Sequence, residues 1–285
     1  MIILVFFIVD VGRYFFYPRV GSLKKSCPEK TAFMKYREKT WRNEGTNKKI
    51  TRIWVPLSRI SPYAMKAVII AEDDKFWSHE GFDFEAMQKA LKKDIQKKKI
   101  KAGGSTISQQ LAKNLYLSPS KSPIRKIKEA ILTWRMENNL NKRRIMELYM
   151  NVAEWGDGIF GIEAAARKYY GKSAASLGPR EGAALASILP NPIRYQPNST
   201  SKYVAYRSNR IYEIMVRRGI VLPEYEEVIS EPDESGQEAN LQDETAHSED
   251  ADQMETDATH EEKESVQEGQ KINPDLPDPV NKSNP

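Results

Sequence analysis

Among 285 residues there is one cysteine, Cys27, so an intrachain disulfide is excluded and the lone thiol reads as inert packing. No apolar run approaches the roughly 20 residues that cross a bilayer core. The clean stretch at residues 1–9 stops at Asp10. No Gly-x-x-x-x-Gly-Lys-Ser/Thr spacing occurs, which excludes a nucleotide P-loop. Alternating runs long enough for a sheet core are missing, and no internal repeat is visible. After residue 230 there is no Phe, Trp or Tyr. That stretch cannot bury enough apolar surface to offset the entropy of ordering, so residues 223–285 read as an acidic, disordered tail.

What is present divides sharply by charge. Residues 231–285 hold 17 acidic and 3 basic side chains, a net of −14, and the formal total of +5 therefore leaves +19 for residues 1–230. The 40% hydrophobic content suffices for a real core in that first part. A basic folded part needs an anionic partner or surface. Nucleic acid is not expected, because the basic residues are not interleaved with aromatics as a stacking platform requires.

Residues 1–17 read as a short membrane anchor with Asp10 and Arg13 near an interface. There is no basic n-region and no small-residue cleavage site of a removable signal. Arg13, Arg19, Lys24 and Lys25 would by charge alone favour the cytoplasm. Residues 18–50 read as a polar, Lys-rich stalk whose only apolar patch is residues 31–36. Over residues 51–222 the pattern is helix after helix, so the fold class is mainly α. Ser61-Pro62, Asp83, Thr106, Ser122-Pro123, Asn141 and Pro179 mark helix starts, and Gly171 marks an end. The spacing predicts inward stripes of Met65, Val68, Ile69 and Glu72; of Phe84, Met87, Leu91 and Ile95; and of Ile124, Ile127, Ile131 and Trp134.

Three stretches carry chemistry. In residues 71–83, Glu72 falls on an apolar stripe near a helix C-terminus. Burial and the dipole there both raise a carboxylate's pKa, as a general base needs; a surface Glu at a frayed end is the alternative. His79, the only histidine before the acidic tail, reads as a structural hydrogen-bond partner. Asp73, Asp74 and Asp83 make only a weak signal for a divalent cation. In residues 101–114, Gly103-Gly104 before a capped helix suits an anion or sugar hydroxyls, or is a plain turn. Arg125 and Glu129 lie at i and i+4, on one face, as an ion pair would. Lys113, Lys121, Lys126 and Lys128 add a cationic cluster that could hold a pyrophosphate.

In order along the chain stand Glu72-Asp-x-x-Phe-x-x-His-x-Gly-x-Asp83, Gly103-Gly-Ser-Thr-Ile-Ser-Gln-Gln-Leu-Ala-Lys-Asn114, Arg125-Lys-x-x-Glu129, Ile145-Met-Glu-Leu-Tyr-Met-Asn151 and a stretch from Ala184 to Pro192. Together they resemble the five motifs of the family 51 glycosyltransferases, the peptidoglycan polymerases. Ser108 stands where Thr is commoner, and Lys121 where Arg is common. Only the acidic tail follows residue 230, with no transpeptidase domain, so the chain is similar to the monofunctional members.

The resemblance implies a lysozyme-like helical glycosyltransferase domain with a smaller membrane-associated lobe. It implies joining of lipid II disaccharides by β-1,4 linkage, with release of undecaprenyl pyrophosphate, during cell wall biogenesis. Glu72 and Glu129 are implied as catalytic, Glu72 as the base. Gly103, Gly104, Ser105, Thr106, Gln109, Gln110, Lys113, Asn114, Lys121, Arg125 and Lys126 are implied as substrate-binding, and Asp73, Phe76, His79 and Asp83 as supporting. Mg²⁺ or Mn²⁺ could assist at the pyrophosphate. Lipid II, the growing strand and the membrane are the partners expected. The expected place is the bacterial inner membrane, single-pass, with the catalytic domain on the periplasmic face. A lysozyme-like lytic enzyme is the alternative.

Overall fold

The computed structural model describes residues 2–97, 104–120 and 122–221. Within them lie helices α1 (Ile2–Gly12), α2 (Ala32–Asn43), α3 (Pro62–Glu72), α4 (Phe84–Lys97), α5 (Ile107–Tyr116), α6 (Pro123–Asn139), α7 (Lys142–Val152), α8 (Ile162–Tyr170), α9 (Pro179–Ile188) and α10 (Lys202–Arg217). Gly103, Lys121, the tail at 223–285 and the side chains of Leu91 and Ile95 lie outside the described residues.

Side-chain caps start many of these helices. Thr31 accepts from the Met34 N–H at 3.1 Å, Asp83 from Ala86 at 2.9 Å and Asn141 from Arg144 at 2.8 Å, each satisfying an N–H that has no partner within its helix. Ser61 accepts from Tyr63 beside Pro62 at the first helical position. Gly171 ends α8 in the left-handed conformation. These boundaries follow the sequence reading closely.

Three strands, β1 (Thr51–Arg52), β2 (Glu154–Gly156) and β3 (Ile159–Phe160), form a small sheet in the order β1-β3-β2. β1 runs parallel to β3, pairing Thr51 with Ile159, and β2 runs antiparallel to β3. Strands of two or three residues are too short to show alternation, so the sequence offered no sign of them.

The core gathers α3, α5, α7, α8 and α9, with Ile107, Leu111, Ile145, Leu148, Trp155 and Leu185 fully buried. Each such aliphatic side chain contributes about 1.5–3 kcal/mol. Packing of α3 on α9 is close enough that a Cβ on Gly182 would meet the Ala64 backbone at 2.9 Å.

Three expectations are corrected. The first concerns α6, whose buried side is Glu129, Leu132, Thr133 and Met136, while Ile124, Ile127 and Trp134 are 39%, 45% and 53% exposed. Two stripes of equal helical period compete on this helix, and period alone does not say which faces the core. The second concerns α4, where Phe84 is 73% and Met87 39% exposed rather than inward. The third is the stalk at 18–50, which packs on the domain: Val20, Leu23, Met34 and Trp41 are buried. Arg37 on α2 holds Glu154 through Nε at 3.0 and 3.1 Å and Nη2 at 3.0 Å, a bidentate pair that Lys could not make.

The N-terminal helix lies on α6. Asp10 pairs with Lys128 at 2.5 Å, Arg135 donates to the carbonyls of Tyr14 (2.7 Å) and Phe16 (3.1 Å), and Phe15 meets Trp134 edge-on at 6.5 Å. Lys128 is thus committed to α1 and does not join the cationic cluster expected for it. No helix of the described residues is long and apolar enough to cross a membrane.

Candidate active site

α3 ends at Glu72, on the same side as buried Ala64, Val68 and Ile69, and leaves 11% of its side chain exposed. Its carboxylate keeps few partners. Gln110 on α5 donates Nε2 to Oε2 at 2.9 Å, and Arg207 on α10 donates Nη2 to Oε1 at 3.3 Å and to the Ala71 carbonyl at 3.2 Å. Burial raises the Glu72 pKa above its ordinary value, while Arg207, Gln110 and Lys113 pull it down less strongly. The direction is the one the sequence suggested, with burial as its main cause.

Asp73, next in the chain, is 7% exposed. Its Oδ2 accepts the Ile107 N–H at 2.9 Å, and His79 Nε2 lies 2.9 and 3.0 Å from its two oxygens. His79 Nδ1 accepts the Gly81 N–H at 3.0 Å, so the ring's proton sits on Nε2 and points to Asp73. The pair braces the 73–81 loop against α5. It also fills the helix N-terminus that the two glycines suggested for an external anion, since a carboxylate already takes that N–H.

Thr106 and Gln109 close a reciprocal capping box, and Thr106 Oγ1 donates to the Gly81 carbonyl at 2.7 Å. At 2% and 3% exposure both side chains are engaged in the cap. Gly81, at φ +91°, sits where a Cβ would meet Glu137 Cγ at 2.8 Å. Glu137 there binds Ser108 at 2.5 Å and Lys142 at 2.8 Å, and the Lys142 ammonium lies 4.8 Å from the centre of the buried Phe76 ring. Asp83 is the cap of α4.

Glu129 is also buried, with 3% of its side chain exposed, but in different company. Arg125 Nη1 donates to Oε2 and Lys126 Nζ to Oε1, each at 2.5 Å. Lys126 also donates to Ser105 Oγ at 2.9 Å, tying the loop before α5 to α6. Gly104 of that loop has φ +102° and is exposed.

Lys113 lies within electrostatic reach of both carboxylates. One turn beyond Gln110 on α5, half-buried beside Asn114, it acts on Glu72 and feels the charges of Glu129, Arg125 and Lys126. Burial lowers its pKa more than the two carboxylates raise it. The described residues therefore place Glu72, Gln110, Lys113, Arg125, Lys126 and Glu129 in one electrostatic neighbourhood, with a protonatable carboxylate at one end and cations at the other.

Arg207 and Tyr149 were not found from the sequence as members of this site. Tyr149 on α7 donates Oη to Gln110 Oε1 at 3.0 Å. An Arg on the final amphipathic helix and a Tyr on a buried stripe carry no local mark that distinguishes them from surface and core. Among the described residues no group of three His, Cys, Asp or Glu side chains could hold a metal ion.

A family model described as "Transglycosylase" matches residues 38–216. The chain is 43% identical over 220 residues to the biosynthetic peptidoglycan transglycosylase of Nitrosospira multiformis, covering 76% of this chain and 96% of that protein. The protein of the same name from Dechloromonas aromatica is 51% identical over 175 residues, 61% of this chain and 76% of its own. That of Aromatoleum aromaticum is 50% identical over 189 residues, 65% and 82% respectively.

Proposed function

The chain belongs to the transglycosylase family, and from that premise we propose that it polymerises peptidoglycan glycan strands from lipid II during cell wall biogenesis. What supports this reading is a Glu72 whose pKa burial raises, within electrostatic reach of a Lys113 that also feels Glu129 and the two cations held by it.

The 4-hydroxyl of an incoming lipid II attacks the anomeric carbon of the lipid-linked strand. Glu72 accepts the hydroxyl proton as the new C–O bond forms. The bond to undecaprenyl pyrophosphate breaks with its electron pair on the phosphate oxygen, and the linkage inverts from α to β. A pyrophosphate departs as an anion and needs no acid, unlike the poor leaving group of glycoside hydrolysis. Positive charge serves it instead, and Lys113, Arg125 and Lys126 supply that charge, with Lys121 assigned to the same task from the sequence alone. Glu129 orients Arg125 and Lys126. Ser105, Gly104 and Asn114 are assigned to the donor side, as is Gly103 from the sequence alone. A divalent ion such as Mg²⁺ or Mn²⁺ lacks a ready cluster of three His, Cys, Asp or Glu ligands among the described residues.

The enzyme acts at the cell envelope, and the finer placement we propose is the inner membrane with the cleft on the periplasmic face. α1 spans about 16 Å at 1.5 Å per residue, half of a hydrocarbon core. Its exposed Val5, Ile8 and Val9 lie on the helix that packs on α6, which itself exposes Ile127 and a Trp134 that meets exposed Phe15. An apolar face of this kind suits a lipid surface. Vesicle flotation should fall when Ile127→Asp and Trp134→Asp are combined; unchanged flotation would remove that placement.

The activity itself is tested by incubating the protein with labelled lipid II and resolving the products on a gel. A ladder of glycan polymer is expected. Release of muropeptides from purified sacculi with no ladder would instead favour a lytic enzyme.

A further inference from the structure

Tyr149 is 1% exposed in the core of α7, and its hydroxyl donates to Gln110 Oε1 at 3.0 Å. The other end of that amide, Nε2, donates to Glu72 Oε2 at 2.9 Å. We infer that Tyr149 is a positioning residue for the reaction: it locks the Gln110 amide in the orientation that donates to Glu72 and so keeps that carboxylate ready to take a proton. The inference rests on the reading of Glu72 as the base.

A side-chain amide can turn over by 180° at little steric cost, exchanging its donor and acceptor ends. Turned over, Gln110 would present Oε1 to Glu72 Oε2, an arrangement that only a protonated Glu72 tolerates. The two amide orientations are thus coupled to the two protonation states of Glu72. Tyr149 breaks the tie. In the observed orientation its O–H has an acceptor; in the reversed one it faces an N–H and its proton is left buried without a partner, which is costly. The phenol is suited to stay a donor, because burial first, then the charges of Glu72 and Asp73, push its pKa well above the ordinary value.

The other charged groups near Glu72 do not set the amide. Arg207 of α10 reaches Oε1, the opposite oxygen, and Lys113 of α5 acts through space. Asp73 turns its carboxylate to His79 and Ile107. α9 packs on α3 with small and apolar buried residues, Gly182, Ala183, Leu185 and Ala186 among them.

The test is the pH dependence of the single-turnover rate with labelled lipid II, for wild type, Tyr149→Phe, Gln110→Leu and the double variant, each checked for folding by thermal melting. Tyr149→Phe should move the acidic limb upward by about half to one pH unit, the worth of one hydrogen bond. The rate measured on that limb then falls roughly three- to tenfold and recovers as pH rises past it, with KM unchanged. Gln110→Leu should move the limb the same way, and the double variant no further than Gln110→Leu, since both act through one contact. A rate lowered equally at every pH, with the limb unmoved, overturns the inference. Should Tyr149→Phe not fold, a fluorotyrosine at position 149, a stronger donor of nearly the same size, should move the limb downward; an unmoved limb then overturns it. Failure of the base reading is separate: it would appear as activity in Glu72→Gln. An inactive Glu72→Gln together with an unmoved limb in Tyr149→Phe rejects the positioning role alone.

Discussion

Glu72 and Glu129 are both largely shielded from solvent and both act on Lys113, yet their surroundings are opposite. Glu72 receives a neutral amide at 2.9 Å and a guanidinium at 3.3 Å, and burial raises its pKa. Glu129 is gripped by a guanidinium and an ammonium, each at 2.5 Å. A carboxylate whose burial outweighs its contacts gains by taking a proton. One held by two cations fixes where those cations stand. One residue type thus fills two roles, separated by what surrounds it.

The hardest test of this contrast exchanges each carboxylate for its amide. Glu72→Gln should lower polymerisation by about 10²–10⁴-fold while lipid II binding persists, measured by product gels and by binding at matched folding. Glu129→Gln should lower elongation by about a hundredfold through disordered Arg125 and Lys126, without moving the acidic limb of the rate profile. Equal effects on that limb from both variants would erase the distinction.

Arg207→Gln sharpens the account of Glu72. Removing the cation favours the neutral acid, so the acidic limb should rise by about one unit and the rate measured on that limb should fall about tenfold. The two faces of α6 offer a stability test of the same kind. Leu132→Ala should cost about 2–5 kcal/mol in denaturant melts, and Trp134→Ser less than about 0.5 kcal/mol. The smallest effect concerns pH. Because the Glu72 pKa is raised in the fold, its contribution is full below the unfolded-chain value and is lost as pH rises through the folded value. Glu72→Gln should therefore lose less stability than wild type as pH rises through that window, read from thermal melts.

Helix boundaries were legible because caps are local chemistry: Ser61, Asp83, Thr106, Asn141 and Gly171 act within three or four residues of themselves. The motif glutamates and lysines were legible because their residue types are unusual on otherwise apolar or turn-forming stretches. What could not be read was orientation. α6 carries two stripes of the same period, and the apolar one, with Ile127 and Trp134, is outside while Glu129 and Thr133 are inside. Long-range partners were equally hidden. Arg207 reaches Glu72 from 135 residues away, Arg37 reaches Glu154 from 117, and Lys128 reaches Asp10 from 118. For Thr106 and Gln109 one sequence signal, the capping box, competed with the expected sugar contact, and the cap took both side chains.

The separation of roles depends on where Glu72 titrates. Carboxyl-carbon NMR of the folded protein, with the Glu72 signal assigned by its absence in Glu72→Gln, measures this directly. The midpoint should lie clearly above the ordinary glutamate value of about 4.3. A midpoint at or below that value would mean a carboxylate content with its charge, and the base would have to be sought among other residues.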